Sequence, residues 1–116
     1  MSQNIEKAFE ISNLMATVAN QKRILKEEYE QSLFYFENGG TFRADTTTIT
    51  YVKTLKELIK ESRLVIIDFN SLPIEILDID KFLQNLLDRH FQANNSYFSK
   101  FNELKKNRNI KNILDL

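Results

Sequence analysis

Leu33-Phe34-Tyr35-Phe36-Glu37-Asn38-Gly39-Gly40-Thr41-Phe42-Arg43 is the stretch whose reading decides the fold. Aromatic residues and a β-branched Thr stand on either side of Asn38-Gly39-Gly40. Glycine takes positive φ without steric cost, so the stretch reads as a β-hairpin. In the other reading the preceding helix runs on to Phe36 and leaves a plain loop.

The surroundings favour a mixed fold. Upstream, from about Asn4 to Gln31, apolar residues recur at Ile5, Phe9, Ile11, Leu14, Met15, Val18, Leu25 and Tyr29. The spacing is mostly helical and neither Gly nor Pro interrupts it, which predicts one long helix. Downstream, Asp45 suits the N-cap of a second helix, Thr46 to about Ser62, with a stripe of Ile49, Val52, Leu55, Leu58 and Ile59. Leu64-Val65-Ile66-Ile67-Asp68 is the clearest strand, Asn70-Ser71 turns the chain, and Pro73-Ile74-Glu75-Ile76 returns. Proline is tolerated at a strand start, where its missing N–H faces away from the partner. Asp78 or Asp80 then caps a final helix reaching about Lys106. Its stripe is Ile79, Phe82, Leu83, Leu86, Leu87, His90, Ala93, Tyr97, Phe101 and Leu104. Within it, Leu83, Leu86, His90, Ala93, Tyr97 and Leu104 largely keep alternating steps of three and four, the pattern of a helix–helix seam.

The chain therefore reads as a single α+β domain, residues 1–116, in the order α-β-β-α-β-β-α. Two hairpins form one small, mainly antiparallel sheet, and two long terminal helices pair with each other or pack over it. Residues from about 107 to 116 form a C-terminal tail. A helix of about 28 residues is roughly 42 Å long. A compact domain of this length has a radius of gyration of about 13 Å. A helix end is therefore expected to project, and a projecting apolar stripe calls for a partner.

Composition narrows the function classes. With 42% hydrophobic and 28% charged residues, the chain is too apolar for a disordered one. Sixteen basic residues balance sixteen acidic ones, so no global field draws in nucleic acid or an anionic membrane. The absence of cysteine removes disulfides, thiolate nucleophiles and Cys-based zinc sites. Met1 to Lys7 is polar and is not a signal peptide, and no apolar run spans a bilayer. A cytoplasmic protein is expected.

The candidate reactive groups each have a plainer explanation. His90, the only histidine, falls on the apolar seam and reads as a partly buried residue hydrogen-bonded across it. Asp68, Glu75, Asp78 and Asp80 form an acidic run able in principle to do acid–base work or hold a divalent cation. Asp78 and Asp80, however, open a helix, where the dipole favours acids. Asn38-Gly39-Gly40-Thr41 lacks the Lys-Ser/Thr of a phosphate-binding loop. Gln31-Ser32-Leu33-Phe34 loosely resembles glutamine-led peptides that dock on sliding clamps, but it sits where a folded element begins. No catalytic residue, metal or cofactor is expected, and no small-molecule substrate is evident.

Two surfaces remain. Leu83, Leu86, Ala93 and Tyr97 on the seam, with Ile113, Leu114 and Leu116 in the tail, are candidates for a protein interface. Lys105, Lys106, Arg108 and Lys111 make the C-terminal end basic beside Tyr97, Phe98 and Phe101, a pattern shared with some single-strand binders. Cations at a helix C-terminus are also favoured by the dipole.

Gln21-Lys22-Arg23-Ile24-Leu25-Lys26-Glu27-Glu28-Tyr29, Asn38-Gly39-Gly40-Thr41-Phe42, Pro73-Ile74-Glu75-Ile76, Tyr97 and Leu104-Lys105-Lys106-Asn107-Arg108 together resemble a group of small uncharacterised proteins of T-even-like tailed bacteriophages of marine bacteria. The resemblance covers most of the chain but no functional motif, so no residue inherits a role. It implies a virion, assembly or host-takeover part, located in host cytoplasm or virion. The expectation is thus a non-enzymatic protein–protein interaction or assembly module, self-associating through its long helices. The rival is a small nucleic-acid-binding or transcription-modulating protein acting through the basic end.

Overall fold

The computed structural model describes residues 2–107 and has the order α-β-β-α-β-β-α. Helix α1 (Ser2–Ser32) is followed by strands β1 (Phe34–Glu37) and β2 (Gly40–Arg43), helix α2 (Thr46–Leu58), strands β3 (Leu64–Ile67) and β4 (Pro73–Ile76), and helix α3 (Ile79–Asn107). The hairpin reading of Leu33–Arg43 holds.

Its turn explains why. Glu37 pairs with Gly40, which leaves Asn38 and Gly39 as a two-residue loop with φ of 49° and 81°. Positive φ at both positions matches the right-handed twist of the strands, and Asn-Gly supplies it at the lowest cost. Gly40 is needed for a different reason. A Cβ there would lie 2.6 Å from Ile74 Cγ1 and 2.9 Å from Phe42 Cε2, so β2 presses against β4 only because the side chain is missing. Gly40→Ala is expected to destabilise the fold by about 1–3 kcal/mol through overpacking. A thermal melt reads this directly, and an unchanged midpoint would mean that the hairpins do not pack this closely.

The two hairpins do not merge into one sheet. Each is a two-stranded antiparallel ladder. They meet where the Phe69 N–H donates to Thr41 O at 2.8 Å, the Thr41 N–H donates to Asp68 Oδ2 at 2.9 Å, and Asn38 Nδ2 donates to Glu75 O at 2.8 Å. Side-chain and turn groups replace a continuous ladder because the tip of the first hairpin crosses the second.

Asp45 caps α2 as expected, accepting from the Thr48 N–H at 2.9 Å. The helix stops at Leu58, short of the expected Ser62, and Ile59 is already extended (φ −112°, ψ 110°). Leu58 and Ile59 stay exposed, so beyond Leu55 nothing is buried that would carry the helix on. Ser62 instead accepts from the Ile79 N–H at 2.9 Å, tying the linker to the start of α3.

The core joins Phe42 and Ala44 of the first hairpin, Val52 of α2, Ile66, Ile74 and Ile76 of the second hairpin, and Ile79, Phe82, Leu83 and Leu86 of α3. It forms a head built from both hairpins, α2 and the first two turns of α3. Tyr35 links the first hairpin to α3. Its hydroxyl donates to Glu37 Oε1 at 2.6 Å and accepts from Asn85 Nδ2 at 2.9 Å. Burial, then the Glu37 bond, push its phenol above the ordinary range. The rest of α1 and α3 form a stalk. The molecule measures 73 × 23 × 20 Å with a radius of gyration of 21.4 Å, against about 13 Å for a compact chain of this length.

Candidate functional site

The stalk helices run antiparallel, and their pairing is mixed in character. The rings of Tyr29 and Tyr97 stack at 4.8 Å, the Tyr29 hydroxyl donates to Asn94 Oδ1 at 2.8 Å, and Lys100 Nζ lies 3.2 Å from Glu28. Lys22 and Lys105 stand 6.0 and 5.0 Å from the centroid of Phe101. Gln21 and Leu104 line the last shared groove. Carried one turn further, this register sets Asn107 level with about residue 18. Residues 2–17 of α1 therefore overhang the described end of α3 by roughly 24 Å.

The overhang has an unusual surface. At 100° per residue, Ile5, Ala8, Phe9, Ser12, Met15, Ala16 and Ala19 fall within about 120° of arc. All seven are exposed and none is charged. Ile5, Phe9 and Met15 are 55%, 64% and 54% exposed. The charged residues of this half, Glu6, Lys7 and Glu10, lie outside the arc.

A second unfilled surface lies on the stalk itself. Tyr29, Asn94, Tyr97, Phe98 and Phe101 line an open cleft of about 400 Å³ between α1 and α3. Phe98 is 69% exposed and Phe91, two turns earlier, is 58% exposed. Leu87, Phe91, Asn94, Phe98, Phe101 and Lys105 keep alternating steps of four and three. Helix α3 thus carries two stripes, one buried inside the chain and one facing out beside it.

The polar groups serve structure. His90 Nδ1 lies 2.8 Å from Ala44 O, and Asn94 Nδ2 lies 3.2 Å from His90 Nε2. A carbonyl only accepts, so Nδ1 carries the hydrogen and Nε2 accepts from Asn94. The chain Tyr29–Asn94–His90–Ala44 ties α1, α3 and β2's end together, which is the seam role expected for His90. The four carboxylates are dispersed. Asp68 is buried and accepts from the N–H groups of Thr41, Asn70 and Leu72 at 2.8–2.9 Å. The Thr41 bond, helped by Leu72 and Asn70 and opposed by burial, holds its carboxyl below the ordinary range. Glu75 pairs with Arg63, Asp78 caps α3 by accepting from the Lys81 N–H at 3.2 Å, and Asp80 lies 3.0 Å from Lys56. Among the described residues no group of His, Asp and Glu gathers as a metal cluster would.

The expected interface residues need correcting. Leu83 and Leu86 are buried in the head, and Ala93 is buried at the α1–α3 contact, lining a gap of about 30 Å³ with Leu25 and Ser96. Their apolar faces are covered within one chain and offer a partner almost nothing. Tyr97 keeps one edge in the cleft. Leu33 of the clamp-like string is 2% exposed, fixed in the fold. Lys105 sits over Phe101, and Lys106 is exposed. Arg108, Lys111, Ile113, Leu114 and Leu116 lie outside the described residues. Phe91 and the uncharged arc of α1 were overlooked, and Phe98 was read only as an aromatic neighbour of the basic C-terminal end. The signal for them was a second heptad stripe offset by one residue from the first, and a run of α1 whose charges all fall on one side.

Among the described residues no helix is long and apolar enough to cross a membrane. No protein-family model, curated protein or solved structure matches the chain.

Proposed function

We propose that this chain is a non-enzymatic interaction and assembly module that binds protein, itself included, through the exposed faces of its two long helices. One observation carries the reading: α1 extends past the described end of α3 with an uncharged arc whose large side chains are more than half exposed. Exposed contiguous apolar surface of this kind marks interaction sites. Among the described residues no helix lies beside this half of α1, and tertiary contacts supply most helical stability. The resemblance to small phage proteins supports a place in particle assembly.

Amide hydrogen exchange tests this. Protection across residues 4–17 is expected to rise with protein concentration, as partner contacts form. Exchange as fast as in an unstructured peptide at every concentration would contradict the proposal.

The convergence of Lys22 and Lys105 on Phe101 favours a second reading, weak single-strand binding beside the aromatic cleft. Its signature is a salt-sensitive shift of a nucleic-acid probe. Unchanged mobility of single- and double-stranded probes at low salt removes it.

A further inference from the structure

Among the described residues the overhang and the cleft are two large open apolar features of the stalk, and they match each other. We infer that the partner is a second copy of this chain, and that each copy lays the uncharged arc of its α1 overhang into the other's Tyr29–Phe98–Phe101 cleft. This rests on the interaction reading above and adds the occupant, the geometry and the stoichiometry.

Three observations support the pairing. The first is register. A two-fold axis across the stalk near residue 17 of α1 turns the second copy's overhang back along the first copy's α3. Phe9 lies eight residues from that axis, roughly 12 Å. The same distance back from Asn107 falls within about a residue of Phe98. Met15 falls beside Lys105 by the same count, and Ile5 near Asn94. The second is side. At 100° per residue Met15 lies within about 40° of Tyr29, a cleft residue about four turns on, so the Met15 edge of the arc faces the way the cleft opens. The third is area. The exposed parts of Ile5, Phe9, Met15 and Phe98, with the open edges of Tyr97 and Phe101, amount to on the order of 600 Å² per copy, the lower end of what a specific interface takes from each partner. No charge on the arc has to be desolvated, while Asn94 and the Tyr29 hydroxyl already have partners in their own chain.

An interface in which a patch meets a different patch twice has a distinctive genetic signature. Phe9→Glu spoils the overhang and leaves the cleft intact. Phe98→Lys spoils the cleft and leaves the overhang intact. Both side chains are exposed, so each variant should keep the folded head, read as the parent's melting point at a dilution where the parent is itself monomeric. Each alone is expected to weaken self-association by roughly thirtyfold or more. An equimolar mixture is expected to recover it. The mixed dimer contains one native contact and one in which the introduced carboxylate meets the introduced ammonium. The readout is sedimentation velocity on the single variants and the mixture. A dimer in the mixture alone supports reciprocal docking. Monomers in the mixture, with a dimeric parent, overturn it. A dimeric Phe98→Lys variant overturns it in favour of arc meeting arc. A parent that is monomeric at every concentration removes both this geometry and self-association.

Discussion

Phe82→Ala is expected to lower stability by about 3–5 kcal/mol, more than any other single truncation in the chain. Phe82 has no exposed surface, and its ring contacts Phe42 edge-on at 4.9 Å and Tyr35 at 6.1 Å. It is where α3 meets the first hairpin. Alanine removes the aromatic contacts, worth about 0.5–1.5 kcal/mol beyond area burial, and leaves a cavity bounded by two rigid ladders that have little freedom to collapse. For a domain whose whole stability is about 5–15 kcal/mol, the melting midpoint should drop by roughly 15–30 °C. Phe82→Leu keeps most of the apolar volume and should lose less than half as much. A calorimetric scan of the two variants checks the point. An alanine variant within about 1 kcal/mol of the parent would mean that the head is not organised around this ring.

Asp68 should be the most damaging carboxylate to lose. Its Oδ1 accepts from Asn70 and Leu72, which closes the β3–β4 loop, and its Oδ2 accepts from Thr41, which fixes the first hairpin to the second. Asp68→Ala leaves three backbone N–H groups without that acceptor. Asp68→Asn keeps one oxygen but turns an NH₂ donor towards N–H donors, so it cannot satisfy both sides of the site. Both variants should melt below the parent, alanine lowest, while Glu75→Gln and Asp80→Asn change little because those pairs are exposed. The pH dependence has a definite sign. The carboxyl pKa is depressed in the folded chain, so its contribution is complete above the ordinary carboxylate value. It declines as pH falls below that value and is lost through the lower folded-state pKa. The gap in melting midpoint between parent and Asp68→Asn should therefore narrow in acid. A gap constant down through that range would contradict the assignment.

Much of this architecture was legible in the sequence, and the gaps have physical causes. Asn38-Gly39 announced its own turn, because positive φ at two successive residues leaves few alternatives. Asp45, and either Asp78 or Asp80, announced helix starts, and the side chains of Asp45 and Asp78 cap the N–H three residues on. Periodicity showed that one face of α3 is apolar, but not what covers it. Leu83, Leu86 and Ala93 follow a seam pattern, and that seam is closed by α1 and the hairpins of the same chain. The outward stripe of Phe91, Phe98 and Phe101 was hidden by overlapping the buried one, since two stripes one residue apart look like a single broad face. Asp68 read only as one member of an acidic run because its three partners are backbone N–H groups placed by folding, and no side-chain pattern encodes them. The separation of the two ladders also depends on how one hairpin crosses another, which strand-by-strand reading does not reach.

Absolute mass by light scattering on a sizing column is the most direct test of the central claim. The chain has a mass of 13.7 kDa, and the account predicts a species of about 27 kDa, twice that value, which dissociates on dilution. A single species of 13.7 kDa at every concentration would contradict it.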